Sequence, residues 1–134
     1  MKWFAGCLLL VVLVGAGRGE VGASEESSMG RFVIVAYTPK PGKDQQLLAA
    51  VKKHLKVLQA ERLVTEKPAY VMRSGDGTIV EVFEWRSAKA VQEAHGNPAV
   101  QALWAEFGAA CDYTPLSKLP EAQQMFAEFD AVEL

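Results

Sequence analysis

Cysteine and histidine are both scarce in this chain. It holds two cysteines, Cys7 and Cys111, and two histidines, His54 and His95, among 134 residues. Cys7 lies in an apolar leader, so a single thiol remains for the folded part and a framework of intramolecular disulfides is excluded. Two histidines and one cysteine far apart in sequence have no metal-ligand spacing. The chain also lacks a dominant charge: its formal net charge is −2. Lys52, Lys53 and Lys56 form the one basic cluster, and helical spacing puts them on a solvated face, so no nucleic-acid footprint is present. No redox-cofactor motif is found, and no cofactor is expected.

The N-terminus reads as an export signal. Lys2 precedes the apolar run Trp3–Val14, which is too short to span a bilayer comfortably. Small residues come next, and Val21-Gly22-Ala23 fits a cleavage site. Residues 1–23 are therefore predicted to be a signal peptide, 24–30 a disordered mature N-terminus, and 31–134 one domain in the periplasm or outside the cell. No membrane association is expected after cleavage. The competing start at Met29 would give a cytoplasmic protein. Cys7 lies inside the apolar run rather than after it, which argues against lipidation.

Within the domain, Phe32–Tyr37 is a predicted strand of six apolar residues. Pro39, Pro41 and Gly42 make a loop, and Asp44 can cap a helix over about residues 44–61, with Leu47, Leu48, Val51, Leu55 and Leu58 as its apolar stripe. Ala69–Ser74 and Thr78–Trp85 form a hairpin about Gly75-Asp76-Gly77. Ser87 caps a short helix to His95. Gly96-Asn97-Pro98 breaks it, and a second helix runs to about residue 110 before Asp112–Pro115 stops it. Leu119–Gln124 suggests one or two helical turns, and Met125–Glu133 a last strand. The order β-α-β-β-α-β predicts an α+β, ferredoxin-like antiparallel sheet with helices on one face.

Both faces of the strands are apolar. Phe32, Ile34 and Ala36 share one face of the first strand; Val33, Val35 and Tyr37 share the other. Helices cover one face of such a sheet, so a second copy is expected to cover the other, making a homodimer.

The strand ending in Trp85, followed by Ser87, Ala90, Ala94-His95, Pro98, Trp104 and Phe107, resembles the antibiotic biosynthesis monooxygenase-like family, as does Pro41-Gly42 leading into a long first helix. The resemblance covers about residues 31–133. It implies a dimeric α/β barrel and, for the enzymes of the family, cofactor-independent oxidation of a phenolic or quinol substrate; the alternative is a non-catalytic module that binds a small molecule or serves as a structural unit. The family's haem-degrading branch has an asparagine in the first strand and a tryptophan and a ligand histidine in the second helix. Here the strand has no asparagine, Ala94 stands at the tryptophan position and Trp104 at the histidine position, which argues against haem binding or degradation.

The candidate site comes from element ends. His95 is the candidate general base, although a histidine in a last helical turn also serves as a cap. Trp85, Tyr37, Trp104 and Tyr113 are candidates for binding a small aromatic molecule, although aromatics at such positions also serve as core. Parallel pairing of the first and third strands would put Tyr37 and Trp85 at one edge. His54 and Arg73 are weaker candidates. Glu81 lies among apolar neighbours, so it is either paired or raised in pKa, and Arg73 across the hairpin is one partner within reach. Cys111 continues an apolar stripe and reads as a buried thiol.

Overall fold

A computed structural model describes residues 29–134. The predicted signal peptide and most of the segment 24–30 lie outside the described residues. Met29 and Gly30 are exposed.

The elements are β1 (Arg31–Pro39), α1 (Asp44–Ala60), β2 (Tyr70–Arg73), β3 (Ile79–Trp85), α2 (Ala88–Gly96), α3 (Pro98–Ala110), β4 (Cys111–Thr114) and β5 (Asp130–Ala131). Two single-turn 3-10 helices, Leu116–Lys118 and Pro120–Gln123, lie between β4 and β5. The fold is α+β, with the strands in one five-stranded sheet ordered β4-β1-β3-β2-β5. Every pairing is antiparallel.

The helices begin and end where local chemistry satisfies their free backbone groups. Asp44 is the first residue of α1 rather than its cap, and its carboxylate suits the positive end of the helix dipole. Ser87 Oγ accepts from Ala90 N–H at 3.1 Å to start α2, and Asn97 Oδ1 accepts from Val100 N–H at 3.1 Å to start α3, with Pro98 in its first turn. The end of α1 is the least expected. Arg62 takes φ 57°, Arg62 N–H bonds Gln59 O, and Leu63 N–H bonds Leu58 O. This is the Schellman pattern without its usual glycine. It folds Leu63 back beside Leu58 in one core cluster.

In the hairpin, Gly77 alone supplies a positive φ, 92°, while Asp76 Oδ1 accepts from Thr78 N–H at 2.9 Å. That bond is the main reason the Asp76 carboxyl sits below the usual range.

One sheet face carries Tyr37, Ile79, Phe83 and Trp85 and meets the helices. Tyr37 and Ile79 pack with Leu47 and Val51 of α1 and with Leu103 and Phe107 of α3. Phe83 and Trp85 pack with Leu58, Ala90, Ala94 and Val100. The opposite face carries Ala36, Val80 and Met72, which Leu119 and Phe129 of the C-terminal segment cover in part.

Three expectations need correction. β1 and β3 are antiparallel, with Arg31 opposite Trp85 and Tyr37 opposite Ile79; Tyr37 and Trp85 therefore stand at opposite ends of the strand pair. Asp112–Thr114 does more than stop a helix, because with Cys111 it pairs with the end of β1, Tyr113 opposite Tyr37. The expected last strand over Met125–Glu133 shrinks to Asp130–Ala131 on β2, at the far edge of the sheet. Its first apolar residues do not become strand: Met125 and Phe126 are 90% and 81% exposed.

Candidate functional site

Between the helices and the inner sheet face lies a cavity of about 470 Å3. The strand pair contributes Val33, Val35, Tyr37, Phe83 and Trp85; the helices contribute His54, Val91, His95, Trp104 and Phe107; β4 contributes Tyr113. All five residues singled out from the sequence (His95, Trp85, Tyr37, Trp104 and Tyr113) line this one space. Antiparallel pairing does not separate them, because the cavity runs along the strands. From Tyr37 to the Trp85 end is six residues of register, about 20 Å at strand rise.

The mouth and the floor differ in chemistry. His95 is exposed, and its ring stands edge-on to Trp104 at 5.0 Å between centroids. The end of α2 is completed without this imidazole: Asn97 N–H bonds Ala94 O, and Gln101 Nε2 donates to His95 O at 2.8 Å. Tyr113, 58% exposed, lies 5.6 Å from the Tyr37 ring, which in turn tilts against Phe107 at 4.8 Å. Burial raises the Tyr113 phenol above its ordinary value, with Cys111 and Glu81 adding to the shift.

The floor holds a buried polar cluster that helical and strand periodicity only half reveals. Glu81 is 1% exposed and His54 3%. Glu81 Oε2 accepts from the Tyr37 hydroxyl at 2.8 Å and contacts His54 Nδ1 at 2.8 Å. The partners of Glu81 are thus Tyr37 and His54, not Arg73, whose guanidinium instead reaches Gly77 O at 3.4 Å. Tyr37 is consequently held by Glu81 rather than offering its hydroxyl to the cavity. Its phenol is driven far above the ordinary tyrosine value by burial first and the Glu81 charge second, so it stays protonated. The His54 ring is wedged edge-on between Phe83 and Phe107, at 5.2 and 5.0 Å. Its other nitrogen, Nε2, is buried and has no hydrogen-bond partner; neither has Glu81 Oε1.

Burying an acid and an imidazole is costly unless their bonds are satisfied. Two unpartnered atoms in one cluster leave hydrogen-bonding capacity there that the protein itself does not fill. The signal available in the sequence was Glu81 on the inward face of β3 together with His54 on the edge of the α1 stripe. What the sequence could not supply was that the two converge.

Cys111 is buried, its thiol bonded to Phe107 O at 3.2 Å and pushed up to about 11 mainly by burial. Such a thiol is a poor nucleophile. Among the described residues no three His, Cys, Asp or Glu side chains gather so as to hold a metal ion, and no helix is long and apolar enough to cross a membrane. No family model, curated protein or solved structure matches the chain.

Proposed function

We propose that the domain binds a planar phenolic or quinol molecule in the inner cavity and promotes its oxidation by dioxygen, with the electrons coming from the substrate itself. The observation that carries this reading is the makeup of the cavity wall. Phe83, Trp85, Trp104, Phe107, Tyr37 and Tyr113 surround about 470 Å3 together with two imidazoles and, among the described residues, no lysine, arginine or carboxylate. Aromatic faces favour a flat apolar ligand, and an imidazole can accept a phenolic proton near neutral pH. A phenolate gives up electrons to dioxygen more readily than a phenol. For a phenol with a free para position the balance is one phenol and one O2 to one para-quinone and one water: one oxygen atom enters the ring and the other leaves as water. The resemblance to antibiotic biosynthesis monooxygenase-like proteins points to the same chemistry.

Oxygen uptake with a panel of phenols and hydroquinones tests the activity. Val35→Phe, which fills the cavity from β1, is expected to abolish uptake. Uptake that is absent in the parent with ligand bound would leave the second reading, a binding module without turnover. Equal uptake by parent and filled variant would overturn the cavity as the site.

We read the order β4-β1-β3-β2 as a ferredoxin-like core with β5 added at its edge, and the outer sheet face as the contact for a second copy. Supporting this, Phe32 and Ile34 on that face are 61% and 51% exposed, an apolar surface a soluble chain rarely leaves open. Ile34→Lys should then convert a dimer into a monomer in sedimentation analysis; a parent already monomeric at micromolar concentration refutes the pairing. Export with cleavage near Ala23 completes the proposal, and N-terminal sequencing of the protein from its native host checks it.

A further inference from the structure

We propose that His54 Nε2, held as a proton acceptor by Glu81, is the group that meets the ligand's hydroxyl, and that the same carboxylate restricts the cavity to uncharged ligands carrying a hydrogen-bond donor. The inference rests on the cavity being the binding site. Glu81 Oε2 receives the Tyr37 hydroxyl, so that oxygen acts as an acceptor. The 2.8 Å contact to His54 Nδ1 is then satisfied when Nδ1 carries the proton. A neutral ring protonated at Nδ1 leaves a lone pair on Nε2. That atom is buried, lacks a partner, and belongs to a ring in the cavity wall. A ligand O–H placed there would satisfy it; a ligand without a donor would bury it unsatisfied.

His54 would touch the ligand. Glu81 and Tyr37 act through it, as positioning residues: Glu81 selects the tautomer, and Tyr37, packed between Phe107 and Tyr113, holds Glu81. His95 cannot take this part in the same way. It is exposed at the mouth, where water satisfies its ring and levels its preference between ligands.

The charge selection comes from the same atoms. A ligand atom bonded to Nε2 lies one imidazole and two hydrogen bonds from Glu81 Oε2, about 7 Å away. Among the described residues no lysine or arginine lines the cavity to compensate an anion. At an effective dielectric constant of about 20, a second negative charge there is disfavoured by tens of fold.

Three probes of one shape separate the possibilities: 2-naphthol, naphthalene and 2-naphthoate, with binding at pH 7 monitored by fluorescence of Trp85 and Trp104. The expected result is 2-naphthol binding about tenfold or more tighter than naphthalene, and 2-naphthoate weakest. In Glu81→Gln the exclusion of 2-naphthoate should relax by at least about tenfold, a gain of binding that loss of structure cannot mimic. In His54→Phe, which keeps an aromatic ring between Phe83 and Phe107, the preference for 2-naphthol over naphthalene should vanish. Equal binding of 2-naphthol and naphthalene by the parent overturns the inference while leaving the cavity as a binding site. Binding of none of the three overturns the cavity reading itself. Because the parent alone decides the first comparison, the test survives a variant that does not fold.

Discussion

Removing one oxygen atom, in Tyr37→Phe, measures what the Tyr37–Glu81 bond contributes to the fold. Tyr37 is 2% exposed, and its hydroxyl donates to Glu81 Oε2 at 2.8 Å. The ring's packing on Phe107 and Tyr113 at 4.8 and 5.6 Å does not depend on the hydroxyl. The substitution therefore removes little apolar contact and creates almost no cavity. What it removes is a hydrogen bond to a buried carboxylate, worth about 1.5–3 kcal/mol. For a domain of roughly 100 residues each kcal/mol moves Tm by about 4–8 °C, so a loss of about 2 kcal/mol lowers it by roughly 8–16 °C. Thermal unfolding by circular dichroism at pH 7 measures this. In a Glu81→Gln background the bond is between neutral groups, and the same substitution should cost only about 1 kcal/mol.

A second readout is alkaline titration. Burial and Glu81 raise the Tyr37 phenol above the unfolded value of 10.0, so the folded state keeps a proton that the unfolded state has lost. Stability from this source is complete below pH 10 and falls as pH rises above it. Tyr37→Phe should lack that alkaline loss. A variant that melts within about two degrees of the parent, with the same alkaline profile, would refute the hydrogen bond and the cluster built on it.

Three further outcomes are expected. Phe107→Ala removes a 1%-exposed ring that touches both Tyr37 and His54 and should cost about 3–5 kcal/mol in urea unfolding. His95→Ala should move Tm by no more than a few degrees, since the ring is exposed and makes one edge contact with Trp104, and should weaken 2-naphthol binding only a few fold by titration. The Glu121 carboxylate is held below its ordinary 4.5 by Gly75 N–H first and the Ser74 hydroxyl second, each at 2.7 Å. Its contribution is therefore present above about pH 4.5 and lost as pH falls below that value. Parent and Glu121→Gln should differ in Tm at pH 7 and converge towards pH 3; proteolysis within residues 116–129 should rise over the same range.

The elements were legible where local chemistry is strong. Leu47, Val51 and Leu58 mark a helix by spacing alone, Ser87 and Asn97-Pro98 mark helix starts by capping chemistry, and Gly77 marks the hairpin. These depend on interactions within a few residues, which sequence order preserves. Arg62 was invisible as a helix end because nothing about an arginine signals a left-handed conformation. That conformation is tolerated here because it seats Leu63 beside Leu58. β4 was invisible because its four residues become strand only by pairing with the end of β1. Met125 and Phe126 looked like strand by composition, yet β2 offers a short edge that pairs only Asp130 and Ala131.

The candidate site divides in the same way. Tyr37, Trp85, His95, Trp104 and Tyr113 could be named from the sequence because large aromatics and a histidine at element ends are conspicuous one at a time. That all five line one cavity was decided by the antiparallel sheet and the helices laid along it. The meeting of Tyr37, His54 and Glu81 was decided by tertiary structure alone, since 44 and 27 residues separate Glu81 from its two partners. A carboxylate on the inward face of β3 announces only that it must be paired. Which partners it finds is set by how α1 crosses the sheet, and no local pattern encodes that crossing.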